Sequence, residues 1–174
     1  SGQVLGAAAL ADQSDDRLKI VLMGNGNQRD DRERRAKGSR CIDIMDGVPD
    51  SEFSDVLAAA DVLLLHERPG VVDMCVPSKL TSYFAAGRPV LAATSGRSAA
   101  ADEIRASGAG IIVETGHPAT LLEGMRSLAG GLGSNEMGLR GHAYDRGTLS
   151  EVNALDAYRD WVASLLMGLP TPFT

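Results

Sequence analysis

Short apolar runs alternate with longer stretches in which apolar residues recur every three or four positions. The apolar runs cover 18–23, 40–45, 62–65, 89–93 and 110–113, each the length of a strand. The first is unbroken except for Lys19, as in a parallel strand covered on both faces. Between the runs the spacing predicts helices. An Ala- and Leu-rich helix spans 3–11 and a charged one 29–37. A third, capped by Asp50 or Ser51, has Phe53, Val56, Leu57 and Ala60 at i, i+3, i+4 and i+7, a core-facing stripe. Further helices span 99–106, the stretch after Pro118 with Leu121, Leu122, Met125 and Leu128 inward, and 136–144. The last carries Val152, Leu155, Tyr158, Trp161, Val162 and Leu165 on one apolar face. Residues 130–134 read as a flexible break between helices. This alternation predicts an α/β fold: an open, Rossmann-like parallel sheet with helices on both faces and right-handed crossovers. Such a domain opens with a strand, whereas helix 3–11 has none before it. The chain, 1–174, is expected to be a single domain lacking its first strand.

The stretch from Pro77 to Ala92 carries the most chemistry. Pro77 blocks a helix behind it, Ser78 can cap the first turn, and Leu80, Tyr83 and Phe84 form an apolar stripe. Gly87 stands where a left-handed end residue belongs and Pro89 prevents continuation. The start of this helix combines a hydroxyl, the Lys79 ammonium and free backbone N–H groups, a suitable arrangement for a phosphate. It serves equally as an ordinary capped surface helix.

Other segments add to this picture. Gly24-Asn25-Gly26 turns from a strand into a helix, where backbone can approach a ligand, although the spacing is not a full dinucleotide fingerprint. The loop after the 62–65 strand leaves its carboxyl end, where open α/β sheets hold ligands. It brings Glu67, Arg68 and Asp73 there, and 67–77 is predicted to be mobile without ligand. Residues 29–37 mix both charge signs and read as a solvated face. His66, His117 and His142 stand alone, without a paired catalytic motif, and are expected to be structural. No Gly-x-Ser-x-Gly elbow of a hydrolase is present.

Composition narrows the class. The chain is 44% hydrophobic and 23% charged, which suits a globular domain, and with 4% aromatics the core must be aliphatic. A net charge of −6 argues against nucleic acid or an anionic membrane surface as partner. No apolar run approaches the roughly 20 residues of a membrane span, and no signal peptide is visible. Cys41 and Cys75 fit no metal spacing and read as reduced thiols of a cytoplasmic protein.

Pro77-Ser-Lys-Leu followed by Tyr83-Phe-Ala-Ala-Gly-Arg-Pro-Val90 resembles the nucleotide-sugar-binding helix of family 4 (group 1) glycosyltransferases. The closest flavour is the bacterial polysaccharide-biosynthesis subgroup. Leu22-Met-Gly-Asn-Gly26, the 56–65 segment and Gly108-Ala-Gly-Ile-Ile-Val113 extend the similarity over about 18–166. The resemblance implies the donor-binding, C-terminal half of a retaining enzyme with the two-domain GT-B fold. It implies a nucleoside diphosphate sugar, a UDP-sugar in the first instance, held by a helix N-terminus with no divalent metal or other cofactor. The acceptor, a glycan or lipid-linked sugar, would meet an N-terminal domain outside this sequence, so the chain alone is expected to be inactive. Ser78 and Lys79 match the phosphate-binding position. Asp46 and Gly47 match a loop that touches the base, and Gly24 and Gly26 the turn at the interdomain cleft. The family's second glutamate, which binds the ribose, falls on Ser82, and its first falls on Met74 beside Asp73. A non-catalytic Rossmann-type nucleotide-binding module and a sugar-nucleotide epimerase of the same fold are the rival readings.

Overall fold

The computed structural model describes residues 2–14, 17–24, 29–67, 78–129, 131–149 and 151–167. The elements are α1 (Gly2–Gln13), β1 (Ile20–Met23), α2 (Arg29–Ala36), β2 (Ile42–Met45), α3 (Asp50–Ala59), β3 (Leu63–His66), α4 (Ser78–Ala85), β4 (Val90–Ala93), α5 (Ala99–Ser107), β5 (Gly110–Val113), α6 (Pro118–Leu128), α7 (Leu132–Gly147) and α8 (Glu151–Met167). Every predicted strand is present, most of them a residue or two shorter than its apolar run.

All strand pairs are parallel. β1 lies on β2 with Ile20 opposite Ile42, and β3, β4 and β5 form a second sheet in that order. The sequence predicts one sheet, but among the described residues β1 and β3 do not pair, so the strands form two. α1 fixes their relative direction. At its start Gln3 hydrogen-bonds His66 and Gly116 (3.0 Å each), at the carboxyl ends of β3 and β5. At its end Asp12 accepts from the Arg40 backbone N–H (2.9 Å), just before β2. Both sheets therefore point their carboxyl ends the same way.

β4 is buried on both faces, and its alternating side chains feed two clusters. Leu91 and Ala93 join α1, α6, β1 and β2; Val90 and Ala92 join α4 and α5. Helices thus cover both faces, as predicted, and the cores are aliphatic apart from Phe84. Helix ends follow local chemistry. Ser98 caps α5 by accepting from the Ala101 N–H (3.1 Å), and Gly108 closes it in the left-handed region (φ 59°). Pro118 opens α6.

Three expectations need correction. No side chain caps α3: Pro49 precedes it, and Asp50 is its first residue. Its apolar stripe is not core-facing as a whole, since only Leu57 is buried while Phe53 and Val56 stay 37% and 36% exposed. α3 crosses from one sheet to the other, and no described strand lies between them to cover those side chains. The break predicted at 130–134 is shorter, because α7 already begins at Leu132. The Ser134 hydroxyl donates to the Leu128 carbonyl (2.7 Å), tying the new helix to the old. Glycines then let α7 approach α4 closely: a Cβ at Gly138 would stand 2.2 Å from the Gly87 carbonyl oxygen. On α8 the predicted apolar face leaves Leu155, Tyr158 and Leu165 exposed. The side chains of Val152 and Trp161 lie outside the described set.

Candidate functional site at the carboxyl edge

Parallel strands bring their carboxyl ends to one edge, so residues far apart in sequence converge there. The described ones are Gly24 after β1, Asp46 and Gly47 after β2, Glu67 after β3, Thr94 after β4, and the start of α4. Gly24 continues the ladder, its N–H donating to the Met45 carbonyl (3.1 Å), with a φ of 132° that favours glycine. Asp46 is exposed and ion-paired with Arg29 of α2, which also bonds Glu33 (2.7 Å). Gly26, Arg68 and Asp73 lie outside the described residues, as does the predicted mobility of the loop beyond Glu67.

α4 is anchored on three sides. Leu80 and Phe84 are fully buried, and Phe84 meets Tyr144 edge-on with ring centroids 6.0 Å apart. Tyr83 donates its hydroxyl to the Leu64 carbonyl (3.3 Å), and burial pushes its pKa up. His142, from α7, donates Nδ1–H to the Ala85 carbonyl (3.1 Å). Gly87 then takes the expected left-handed conformation (φ 66°). The helix starts on Ser78 itself, one position earlier than a cap at Ser78 would give. Ser78 and Ser82, one turn apart, share the face opposite Leu80 and Phe84. Ser78 and Lys79 are exposed, and among the described residues Lys79 has no ion-pair partner.

Glu67 is held by a relay that the sequence did not reveal. Its N–H donates to the Ala93 carbonyl (3.0 Å), and its Oε2 accepts from the Thr94 hydroxyl. Thr94 has one hydroxyl proton, so the 2.7 Å contact between Thr94 and Ser98 must run the other way, with Ser98 donating. Ser98 in turn accepts from Ala101. Thr94 and Ser98 are both buried. The second carboxylate oxygen, Oε1, is also buried and has no partner among the described residues. A hydroxyl immediately after a central parallel strand is the only signal in the sequence that points to Thr94. Thr94→Val should strand Oε2 as well and cost about 1–3 kcal/mol in urea unfolding. Thr94→Ser, which keeps the hydroxyl, should cost well under half of that; equal costs would refute the relay.

Gln3, also missed, closes the edge from α1. Its amide oxygen accepts from His66 Nε2–H and the Gly116 N–H, and its amide nitrogen donates to the carbonyls of Glu114 (3.1 Å) and His117 (3.2 Å). The side chains of His66 and His142 thus make structural hydrogen bonds, as predicted, whereas His117 takes part only through its backbone carbonyl. Burial pushes the His66 pKa below its usual 6.5. The unfolded chain therefore binds the His66 proton more readily than the folded one. Stability is expected to be full above pH 6.5 and to fall as pH drops from 6.5 toward the folded-state pKa. Urea midpoints from pH 7.5 to 5 should show a steeper decline for the native chain than for His66→Gln; parallel declines would exclude His66 as the cause.

Among the described residues no cluster of His, Cys, Asp and Glu is arranged to hold a metal ion. No described helix is long and apolar enough to cross a membrane. A shallow cleft between α1 and α2, lined by Asp12, Arg35 and Arg40, contains none of the predicted site residues.

The model of the family described as "Glycosyl transferases group 1" matches residues 3–130, which include every predicted site residue. Among solved structures, WaaG, described as a glycosyltransferase involved in lipopolysaccharide biosynthesis, is similar with a TM-score of 0.65 and 20% identity. The match covers 84% of this chain and 39% of WaaG, so the chain spans about two fifths of that protein's length. At this identity the likeness shows the fold, the Rossmann-like half of a GT-B glycosyltransferase. No curated protein matches the chain. The convergence at the carboxyl edge and the family match lead to one conclusion: the chain belongs to the group 1 glycosyl transferases.

Proposed function

We propose that this chain is the donor-binding domain of a retaining glycosyltransferase, holding a nucleoside diphosphate sugar, in the first instance a UDP-sugar, at the carboxyl edge. The observation that carries the reading is the start of α4. Ser78 and Lys79 stand exposed on a helix fixed by Leu80, Tyr83 and Phe84, and the helix dipole and the ammonium both favour the diphosphate there. A fixed cation and backbone N–H groups supply the charge that a divalent metal supplies elsewhere, so no metal is required. Ser82, one turn on, is placed to hydrogen-bond the ribose in place of a glutamate. Glu67 offers to a ligand hydroxyl its Oε1, which has no partner among the described residues. Gly24 lets backbone approach the donor, and Gly26, Arg68, Asp73, Asp46 and Gly47 complete the expected contacts. The acceptor, a glycan or lipid-linked sugar, would meet a second domain, and transfer would take place on the cytoplasmic side.

The structural engagement of His66 and His142 favours this reading over an epimerase, which needs free acid/base groups in the cleft. Calorimetric titration of UDP into the folded protein in EDTA tests the proposal. Saturable binding is expected, and no binding by a folded protein would overturn it.

A further inference from the structure

With the diphosphate at the start of α4, beside β3, the nucleoside of a donor extends along the carboxyl edge in one of two directions. At the β5 end Gln3 already engages the polar backbone: it bonds the Gly116 N–H and the Glu114 and His117 carbonyls. At the β1–β2 end the edge is open. A Cβ built on Gly24 would meet nothing within 4 Å among the described residues, and Met45, the last residue of β2, is 50% exposed. The Gly24 N–H donates to the Met45 carbonyl (3.1 Å), so bare backbone and a soft apolar side chain adjoin there. A flat ring can rest on such a surface.

Two charged groups stand at the same end. Asp46 follows Met45 directly, and its Oδ1 is held by Arg29 Nη1, while Arg29 Nε bonds Glu33 (2.7 Å). The carboxylate is thus fixed from one side, and its Oδ2 has no hydrogen-bond partner among the described residues. Arg32 lies one turn along α2 from Arg29, on a neighbouring part of its surface. It shares the sheet-facing stripe with Ala36, which packs against the α1 cluster. Helical side chains lean toward the start of their helix, and α2 starts at the carboxyl edge, so the Arg32 guanidinium is carried toward the Gly24 turn. Its Nε is buried and has no partner among the described residues. A buried N–H donor left in that state is uncommon and calls for a partner. An ionised carboxylate only accepts hydrogen bonds, and a guanidinium only donates them. Together they match a ring edge on which an imino N–H adjoins a keto oxygen. Uracil and guanine have that edge. Cytosine and adenine carry the reverse, an amino group beside a bare ring nitrogen, which sets donor against donor and lone pair against carboxylate.

We infer that Asp46 and Arg32 select the nucleobase of the donor, admitting a keto–imino base, uracil or guanine, and rejecting cytosine and adenine. Arg29 is the positioning residue that holds Asp46 for this contact. The inference rests on the donor-site reading above and adds to it the groups that decide which nucleotides enter.

Calorimetric titration of UDP, GDP, CDP and ADP in EDTA tests the inference on the 174-residue chain and on Asp46→Asn, Arg32→Ala and Lys79→Ala, each checked for folding by circular dichroism. The tighter of UDP and GDP should bind at least ~10-fold more strongly than CDP and ADP. UDP ahead of GDP identifies uracil and the reverse guanine, and either supports the inference. Asp46→Asn should bring the four nucleotides within about threefold of one another, because an amide can turn either its oxygen or its NH2 to the base. Arg32→Ala should narrow the preference too. Lys79→Ala should weaken all four alike and leave their ratio unchanged, since they share the diphosphate. Equal affinity of the native chain for the four, a preference for CDP or ADP, or a preference that survives Asp46→Asn would each overturn the inference and leave the donor site standing. A folded native chain that binds none of the four would overturn the donor site itself, and the inference with it.

Discussion

Phe84→Ala should lower stability by about 3–5 kcal/mol, the usual range for emptying a fully buried aromatic site. Phe84 is fully buried at the centre of the cluster that joins α4, α5, β3 and β4, and its ring meets Tyr144 edge-on. α7 stands close on the other side: a Cβ at Gly141 would lie 3.2 Å from the Phe84 ring. A cavity there cannot collapse without moving α7, which Gly138 already holds against the Gly87 backbone. For a chain of this length the loss corresponds to a melting temperature roughly 6–20 °C lower. Thermal unfolding followed by circular dichroism measures it. A drop of less than about 4 °C would mean that α7 repacks and that α4 is not held as described. The consequence reaches the site, because the same ring sets the position of the helix that carries Ser78 and Lys79. Phe84→Leu, which keeps most of the volume, should recover much of the stability.

Lys79→Ala should weaken UDP binding by about tenfold to a hundredfold with little effect on the melting temperature. A charge-assisted hydrogen bond contributes roughly 1.5–3 kcal/mol, and each 1.4 kcal/mol is about a factor of ten in affinity. The helix dipole adds only about 0.3–1 kcal/mol and survives the substitution. Lys79 is exposed and has no ion-pair partner among the described residues, so its removal breaks no contact seen in the fold. Titration of UDP into the two proteins, at low and at high salt, decides the matter. The native protein should lose affinity with salt more steeply than the variant. Equal affinities in two folded proteins would remove Lys79 from the site and leave the diphosphate to the backbone N–H groups of α4.

The proposed site also departs from the family pattern in a physically definite way. Where the resembled enzymes place two glutamates, this chain has Met74 and Ser82. Glu67 sits at the end of β3, and its carboxylate is fixed by Thr94. A carboxylate accepts hydrogen bonds about twice as strong as those of a neutral hydroxyl. Glu67 is therefore the stronger candidate of the two described residues, Glu67 and Ser82, for gripping a sugar or ribose hydroxyl.

Local sequence alone determined the element types and nearly all their places. Continuous apolar runs make buried parallel strands wherever they fall, because only a two-sided core removes such residues from water. Gly87, Gly108 and Pro118 terminate or open helices through backbone geometry that needs no partner. The phosphate-binding role proposed for Ser78 and Lys79 rests on local sequence in the same way, since it depends on a helix start and two adjacent side chains. What only the tertiary structure decided depends on contacts between distant segments. The relay from Ser98 through Thr94 to Glu67 joins the ends of two strands, and Gln3 reaches across more than a hundred positions to Glu114, Gly116 and His117. No periodicity encodes such pairings. The stripe of α3 was misjudged because apolar spacing shows which face of a helix seeks cover, while the neighbouring strands and helices decide whether cover is there. The division into two sheets is of the same kind: β1 and β3 each carry the pattern of a buried strand, and only the tertiary structure shows that they do not pair among the described residues.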